Sequence, residues 1–115
     1  MHSSQVLDHF QNPRNAGHLS APALSVDVTN PACGDMMRLS ALFENGRLTE
    51  VRYQTRGCTA SIAAGSALTE WMVGKTREEL LALKPEVIAQ ALGGLPPASQ
   101  HAAELCVEAV KRLLS

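Results

Sequence analysis

Apolar and polar residues alternate along three segments of the chain, which predicts three half-buried β-strands. The segments are LSVDVT (24–29), MRLSALF (37–43) and RLTEVRYQT (47–55). Asn45-Gly46 stands between the second and the third, and this pair favours the tight two-residue turn of a β-hairpin. The pattern therefore predicts an antiparallel meander with one face against helices.

The other segments carry apolar residues at helical spacing. The predicted helices span 5–10, 59–74, 77–84, 85–92 and 98–115. Thr76 and Glu79 form a capping-box pattern, and Pro85 separates the third helix from the fourth. We therefore predict an α+β fold, in which an N-terminal helix and a long C-terminal helix belong to the helical layer on a three-stranded antiparallel sheet. The 115 residues suffice for one hydrophobic core, so 1–115 is expected to be a single domain.

Charge and hydropathy exclude several classes of function. The net charge of -1 provides no strongly basic face, so no nucleic-acid partner is expected. No apolar run approaches the roughly 20 residues that span a bilayer, and no membrane association is expected. The first ten residues lack the pattern of a secretory signal, so a cytoplasmic location is predicted.

The three cysteines are too few and too scattered for a disulfide framework. They are packing residues, reactive thiols or metal ligands. Cys33 stands in NPACGD, between the rigid Pro31 and the permissive Gly34, with Asp35 close by. This backbone is unusual for a buried packing residue and favours a thiol that is presented to a ligand.

Cys58 follows the third strand and Gly57, at the predicted start of a helix. The positive end of the helix dipole favours a negatively charged sulfur there. In a meander, the loop after the first strand and the end of the third lie at the same edge of the sheet. Cys33 and Cys58 therefore either converge on one site or are two unrelated small packing residues.

Four segments resemble successive motifs of the IscU/NifU-type iron–sulfur cluster assembly scaffolds, in order and over nearly the full chain. They are VLDHFQNPRNAG (6–17), NPACGDMM (30–37), GCTASIAAGSALTEWMVGK (57–75) and LPPASQH (95–101). The resemblance implies a non-catalytic scaffold that holds a transient [2Fe–2S] cluster. It further implies that a cysteine desulfurase supplies the sulfur and that recipient apoproteins take the finished cluster.

The resemblance also implies a set of ligands. Cys33 and Cys58 resemble the first two cluster cysteines, Asp35 the acid beside the cluster, and His101 the histidine before the third cysteine. Thiolates suit iron–sulfur clusters, and imidazole can replace them. The nearby carboxylate adds negative charge, which would help the scaffold to release the cluster.

The chain departs from the family where the third cysteine is expected, because His101 is followed by Ala102. The remaining cysteine, Cys106, stands four residues further on, on the same helical face and roughly 6 Å along the axis. It is either a displaced cluster ligand or a core residue.

Two further expectations concern partners and histidines. The family's chaperone-recognised stretch appears as Leu95-Pro96-Pro97-Ala98-Ser99 without its lysine, which puts recognition by that chaperone in question. The sequence does not decide whether two chains form a homodimer that shares one cluster. His9 and His18 are expected at the surface or in helix caps, and not as ligands.

Two other functions fit the same residues. A zinc-binding sulfur acceptor would carry persulfide on a single thiolate, Cys58 or Cys106. Zinc could occupy the same site, since it takes the same Cys, His and Asp ligands. A degenerate interaction domain would have lost its cluster together with the third cysteine. Colour separates these functions, because only an iron–sulfur protein is red-brown.

Overall fold

The centre of the fold is a three-stranded antiparallel sheet in the order β1-β2-β3, as seen in a computed structural model that describes residues 2–31 and 34–115. The strands are β1 (Leu24–Thr29), β2 (Met36–Glu44) and β3 (Arg47–Arg56). Asn45 and Gly46 join β2 to β3 with φ of 53° and 80°, as a type I′ turn requires. The predicted meander is thereby confirmed.

The described part of the chain, residues 2–31 and 34–115, also forms five α-helices. They are α1 (Ser4–Gln11), α2 (Thr59–Met72), α3 (Arg77–Leu81), α4 (Pro85–Ala91) and α5 (Gln100–Leu113). The predicted capping box starts α3, since the side chain of Thr76 accepts from the N–H of Glu79 and the Glu79 carboxylate accepts from that of Thr76. The last helix begins two residues later than predicted, because residues Pro97–Ser99 form a tighter 3-10 turn.

One face of the sheet is buried against the helices and forms part of the core. Alternate positions share that face and are buried: Val28, Met37, Leu39, Ala41, Val51 and Tyr53. Helices α2 and α5 pack against the strands and contribute mostly small residues, among them Ala63, Ala64 and Ala109. The predicted arrangement of helices on a three-stranded sheet is confirmed. No helix in the described ranges is long and apolar enough to span a membrane.

The segment between α1 and β1 covers part of the opposite face. The backbone N–H of Leu19 donates to the hydroxyl of Ser40 at 3.0 Å, and Ser40 is fully buried. At the free edge of β3, Gly17 donates its N–H to the carbonyl of Tyr53, and Tyr53 donates to that of Asn15. These bonds satisfy backbone groups that an edge strand would otherwise leave open.

The expectation that His9 lies at the surface or in a cap is wrong. His9 is only 7 % exposed, and its Nδ1 lies 2.7 Å from the hydroxyl of Ser66 on α2. The same hydroxyl accepts the backbone N–H of Arg14 at 2.9 Å. His9 is therefore part of the contact between α1, α2 and the segment that follows α1.

Candidate metal centre

The loop between β1 and β2 is closed by its own backbone and places Asp35 at the end of the sheet. The N–H of Asn30 donates to the carbonyl of Asp35, and the N–H of Gly34 donates to the carbonyl of Asn30, both at 2.8 Å. Gly34 has a φ of +76°, a left-handed conformation that favours glycine. Asp35 immediately precedes β2 and is 8 % exposed.

Cys58 lies between β3 and α2, at the N-cap position of the helix. Its carbonyl accepts from the N–H of Ile62, and its side chain is free of the capping role that Ser or Asp would take there. The thiol is exposed and points toward Asp35. The register of the sheet explains this meeting, because Met36, which follows Asp35, pairs with Arg56, two residues before Cys58.

His101 is the second residue of α5 and reaches the same place from the C-terminal part of the chain. The turn before it is fixed by Gln100, whose side-chain amide donates to the carbonyl of Leu95 at 2.7 Å. The imidazole is partly exposed, while the next residue, Ala102, is fully buried. The start of α5 therefore directs the histidine to the site and the alanine to the core.

Three donor atoms converge at this end of the sheet. Cys58 Sγ lies 3.4 Å from Asp35 Oδ2 and 3.6 Å from His101 Nε2. His101 Nε2 lies 3.3 Å from Asp35 Oδ2. Asp35, Cys58 and His101 form the one group of three or more metal-ligating side chains found among residues 2–31 and 34–115.

These separations suit a single tetrahedral metal ion. For zinc, with bonds of about 2.3 Å to sulfur and about 2.0 Å to nitrogen or oxygen, tetrahedral angles put the ligand atoms about 3.3–3.6 Å apart. The observed distances of 3.3, 3.4 and 3.6 Å match that spacing. The residues therefore fit a metal on one triangular face and leave a fourth position for another ligand.

Hydrogen bonds also favour the ionised form of the Asp35 carboxyl. Burial raises the pKa of its carboxyl. Donors from Ser61, from the thiol and backbone N–H of Cys58, and from His101 outweigh that effect and leave the pKa below its ordinary value. A cation would therefore meet an ionised carboxylate at neutral pH.

Ser61 is a site residue that the sequence did not reveal. Its hydroxyl donates to Asp35 Oδ2 at 2.6 Å and lies 3.4 Å from Cys58 Sγ, and the residue is fully buried. The only signal in the sequence is the spacing of three from Cys58, which places both residues on one face of the first helical turn.

One of the five predicted ligands is not described by the structure, and another is not part of this group. Cys33 lies outside the described residues. Cys106 is described, and the structure does not bring it to the other ligands: it is fully buried in the core, and its burial raises the pKa of its thiol. The helix accounts for this placement, because Cys106 shares its inward face with Ala102 while His101 points to the site.

Comparison with known proteins identifies a matching family and similar relatives. The family model described as "NifU-like N terminal domain" matches residues 1–115. The chain is 41 % identical over 114 residues to "Iron-sulfur cluster assembly scaffold protein IscU 1" of Archaeoglobus fulgidus, covering 99 % of this chain and 74 % of that protein. It is 42 % identical to the IscU scaffold protein of Azotobacter vinelandii, with 96 % of this chain and 88 % of that protein covered.

Solved structures share the fold. A candidate iron–sulfur cluster assembly scaffold protein for the SUF system of Fervidobacterium islandicum superposes with a TM-score of 0.80 at 18 % identity, covering 98 % of this chain and 96 % of that chain. The N-terminal part of a NifU-like protein from Brucella abortus gives a TM-score of 0.66 at 20 % identity, with 96 % and 77 % covered. At these identities the likeness concerns the fold alone.

Proposed function

The chain belongs to the NifU-like N-terminal domain family, and on that premise we propose that it is a scaffold on which an iron–sulfur cluster is assembled and from which it is passed on. The observation that carries this proposal is the convergence of Cys58, Asp35 and His101 within 3.3–3.6 Å at one end of the sheet. A scaffold of this kind is a carrier and not an enzyme, so no catalytic residue is assigned.

We assign the cluster, which is the cargo of the scaffold, to Cys33, Asp35, Cys58 and His101. Cys33 enters on its sequence position alone: it precedes Asp35 by two residues, a span of at most about 7 Å along the chain. Cysteine thiolates are the usual ligands of a [2Fe–2S] cluster, and two histidines replace cysteines on one iron of Rieske centres. A set of two thiolates, one imidazole and one carboxylate therefore supplies four ligands without Cys106.

A cluster with two irons takes two protein ligands at each iron. No more than two of the three converging donor atoms would then bind the same iron. A [2Fe–2S] cluster would separate the donors that now form one triangle, whereas a single ion would keep them in place. The carboxylate of Asp35 is the weakest ligand of the set for iron–sulfur chemistry and is therefore the first expected to leave.

The triangle itself favours a second candidate function. A single zinc ion on Asp35, Cys58 and His101 would make the protein a zinc-binding sulfur acceptor, in which a thiolate carries persulfide sulfur. Cys58 is the described thiol suited to that role, because it is exposed while Cys106 is buried. Both functions need a protein that donates sulfur, and we propose a cysteine desulfurase in that place and recipient apoproteins for the cluster.

Anaerobic reconstitution separates the two candidate functions. The purified protein is incubated with ferrous iron, cysteine and a cysteine desulfurase, in parallel with and without dithiothreitol, which supplies the electrons that reduce persulfide sulfur to sulfide. Its visible spectrum, iron, acid-labile sulfide and, in the incubation without dithiothreitol, persulfide are measured. We expect a red-brown protein with equal iron and sulfide. A colourless protein that retains zinc and carries persulfide at Cys58 would support the sulfur acceptor instead.

A further inference from the structure

The carboxylate of Asp35 depends on a neighbour that belongs to no predicted ligand set. Its Oδ2 atom lies within 3.4 Å of three side-chain groups: the hydroxyl of Ser61, the thiol of Cys58 and the imidazole of His101. The bond from Ser61 is the shortest of the three, at 2.6 Å. Ser61 and Asp35 are both buried, so water is a poor substitute for this bond.

Metal binding changes two of these three contacts. A cation takes the lone pairs of Cys58 Sγ and His101 Nε2, and the thiol loses its proton. Neither group can then donate a hydrogen bond to Asp35 Oδ2. The backbone N–H of Cys58 keeps its hydrogen bond to the carboxylate, and among the described side chains that donate to it Ser61 is the one whose bond survives.

We propose that Ser61 is a positioning residue of the metal centre, which holds the carboxylate of Asp35 in the orientation needed to bind the metal. The hydroxyl has no other described role that would account for its place, because its two contacts are Asp35 and Cys58. A carboxylate that loses such a partner rotates more freely about its last torsion, which has a broad energy well. Partners of this kind typically change metal affinity by about 10–100-fold.

This inference rests on the proposed metal site, so its test must separate the two. Cobalt(II) is the probe, because it takes the tetrahedral sites of zinc and its visible bands report thiolate ligation. Wild type, Ser61→Ala, Ser61→Thr and Ser66→Ala are each titrated without oxygen, and the Kd is obtained by competition with a chelator. Thermal unfolding of each metal-free protein is measured alongside.

Ser66→Ala is the matched control. Ser66 lies on the same helix, is equally buried and also makes hydrogen bonds, but its partners are His9 and Arg14. Both serine-to-alanine changes should lower the unfolding temperature. Only Ser61→Ala should weaken cobalt binding, by about 10–100-fold, while Ser61→Thr, which keeps the hydroxyl, should recover most of the affinity.

Three results would overturn the inference. Wild-type affinity in Ser61→Ala would show that Asp35 needs no help from Ser61, and equal weakening in Ser61→Ala and Ser66→Ala would reduce the effect to general destabilisation. In both cases the metal site itself would stand. Failure of the folded wild-type protein to bind cobalt would instead remove the proposed site, and the role of Ser61 with it.

Discussion

Gly57 and Asp35 are so close that only a hydrogen atom fits between the backbone of one and the carboxyl of the other. A Cβ on residue 57 would lie 2.5 Å from Asp35 Cγ and 2.7 and 2.9 Å from the two carboxylate oxygens. Real Cβ atoms do not approach so closely, so either the carboxyl or the turn before α2 would have to move. The missing side chain therefore gives Asp35 its place beside Cys58.

Gly57→Ala should consequently damage the proposed metal centre. We expect it to weaken cobalt or zinc binding by about tenfold or more, because the loss of a single supporting contact typically weakens metal affinity by about 10–100-fold. Gly46→Ala is the control: its Cβ would meet nothing within 4 Å, while its φ of +80° costs about 1 kcal/mol of backbone strain. Unimpaired metal binding in a folded Gly57→Ala protein would contradict the arrangement described here.

Cys106→Ala should leave metal binding unchanged. The residue is fully buried, so its replacement should cost about 1 kcal/mol of unfolding free energy, as for other small deletions in a core. Cys58→Ala should abolish tight metal binding, because it removes a proposed ligand. Parallel cobalt titrations and chemical unfolding of the two variants check both statements.

Thiol labelling provides an independent check that Cys58 is exposed and Cys106 is buried. In the folded protein, iodoacetamide should modify the exposed Cys58 rapidly, while Cys106 should react only after denaturation, since burial both blocks it and raises the pKa of its thiol. Peptide mapping by mass spectrometry identifies the modified residue. Rapid labelling of Cys106 in native protein, or loss of metal binding in Cys106→Ala, would restore this cysteine as a candidate ligand.

His9 should make the stability of the fold depend on pH. Burial, and then the nearby Arg14, lower the pKa of His9 below 6.5, while Glu70 and Asp8 oppose this shift. His9 therefore takes up a proton more readily in the unfolded chain than in the folded chain. As a result, the free energy of unfolding falls as the pH drops from about 7 through 6.5 toward the folded-state pKa.

His9→Gln should flatten this part of the stability curve. The measurement is urea unfolding at a series of pH values from about 7 to about 5, the range in which histidine titrates. His2→Gln is the control, since His2 is exposed. A slope that is the same in wild type and His9→Gln would show that His9 does not cause it.

Gly65 on α2 should not tolerate alanine, although alanine is normally the better helix residue by about 1 kcal/mol. A Cβ at this position would lie 2.3 and 2.5 Å from two ring carbons of Tyr53. Such overpacking costs about 1–3 kcal/mol, so Gly65→Ala should lower the unfolding free energy. In a Tyr53→Leu background the same change should cost less, and a double-mutant cycle measures the coupling. Stabilisation by Gly65→Ala would contradict the close contact.

The sequence predicted the sheet almost to the residue. Alternation fixed the three strands, and Asn45-Gly46 fixed the turn, because both signals depend on local geometry alone. The same topology led us to expect Cys33 and Cys58 at one edge of the sheet, and Cys33 lies outside the described residues. The structure shows such a meeting for Asp35 and Cys58, because antiparallel pairing of β2 with β3 brings their flanking residues to one end of the sheet. His101 could be added only through the resemblance to a family.

The side-chain details could not be predicted in this way. Whether Cys106 lies in the core or at the site depends on the rotation of α5, which the packing of its alanine-rich face against the sheet determines. The burial of His9 depends on a partner, Ser66, that is 57 positions away in the chain. Such contacts form only in the assembled core, and no local sequence pattern predicts them.

The central claim is that the chain holds an iron–sulfur cluster at the end of the sheet where Asp35, Cys58 and His101 meet. The most direct test is anaerobic reconstitution of wild type and Cys58→Ala, followed by visible absorption and by iron and sulfide analysis. We predict a red-brown wild-type protein with iron and sulfide in equal amounts, and a Cys58→Ala protein that stays folded but retains little of either. A colourless, iron-free wild type, or a variant that loads as fully as wild type, would contradict the claim.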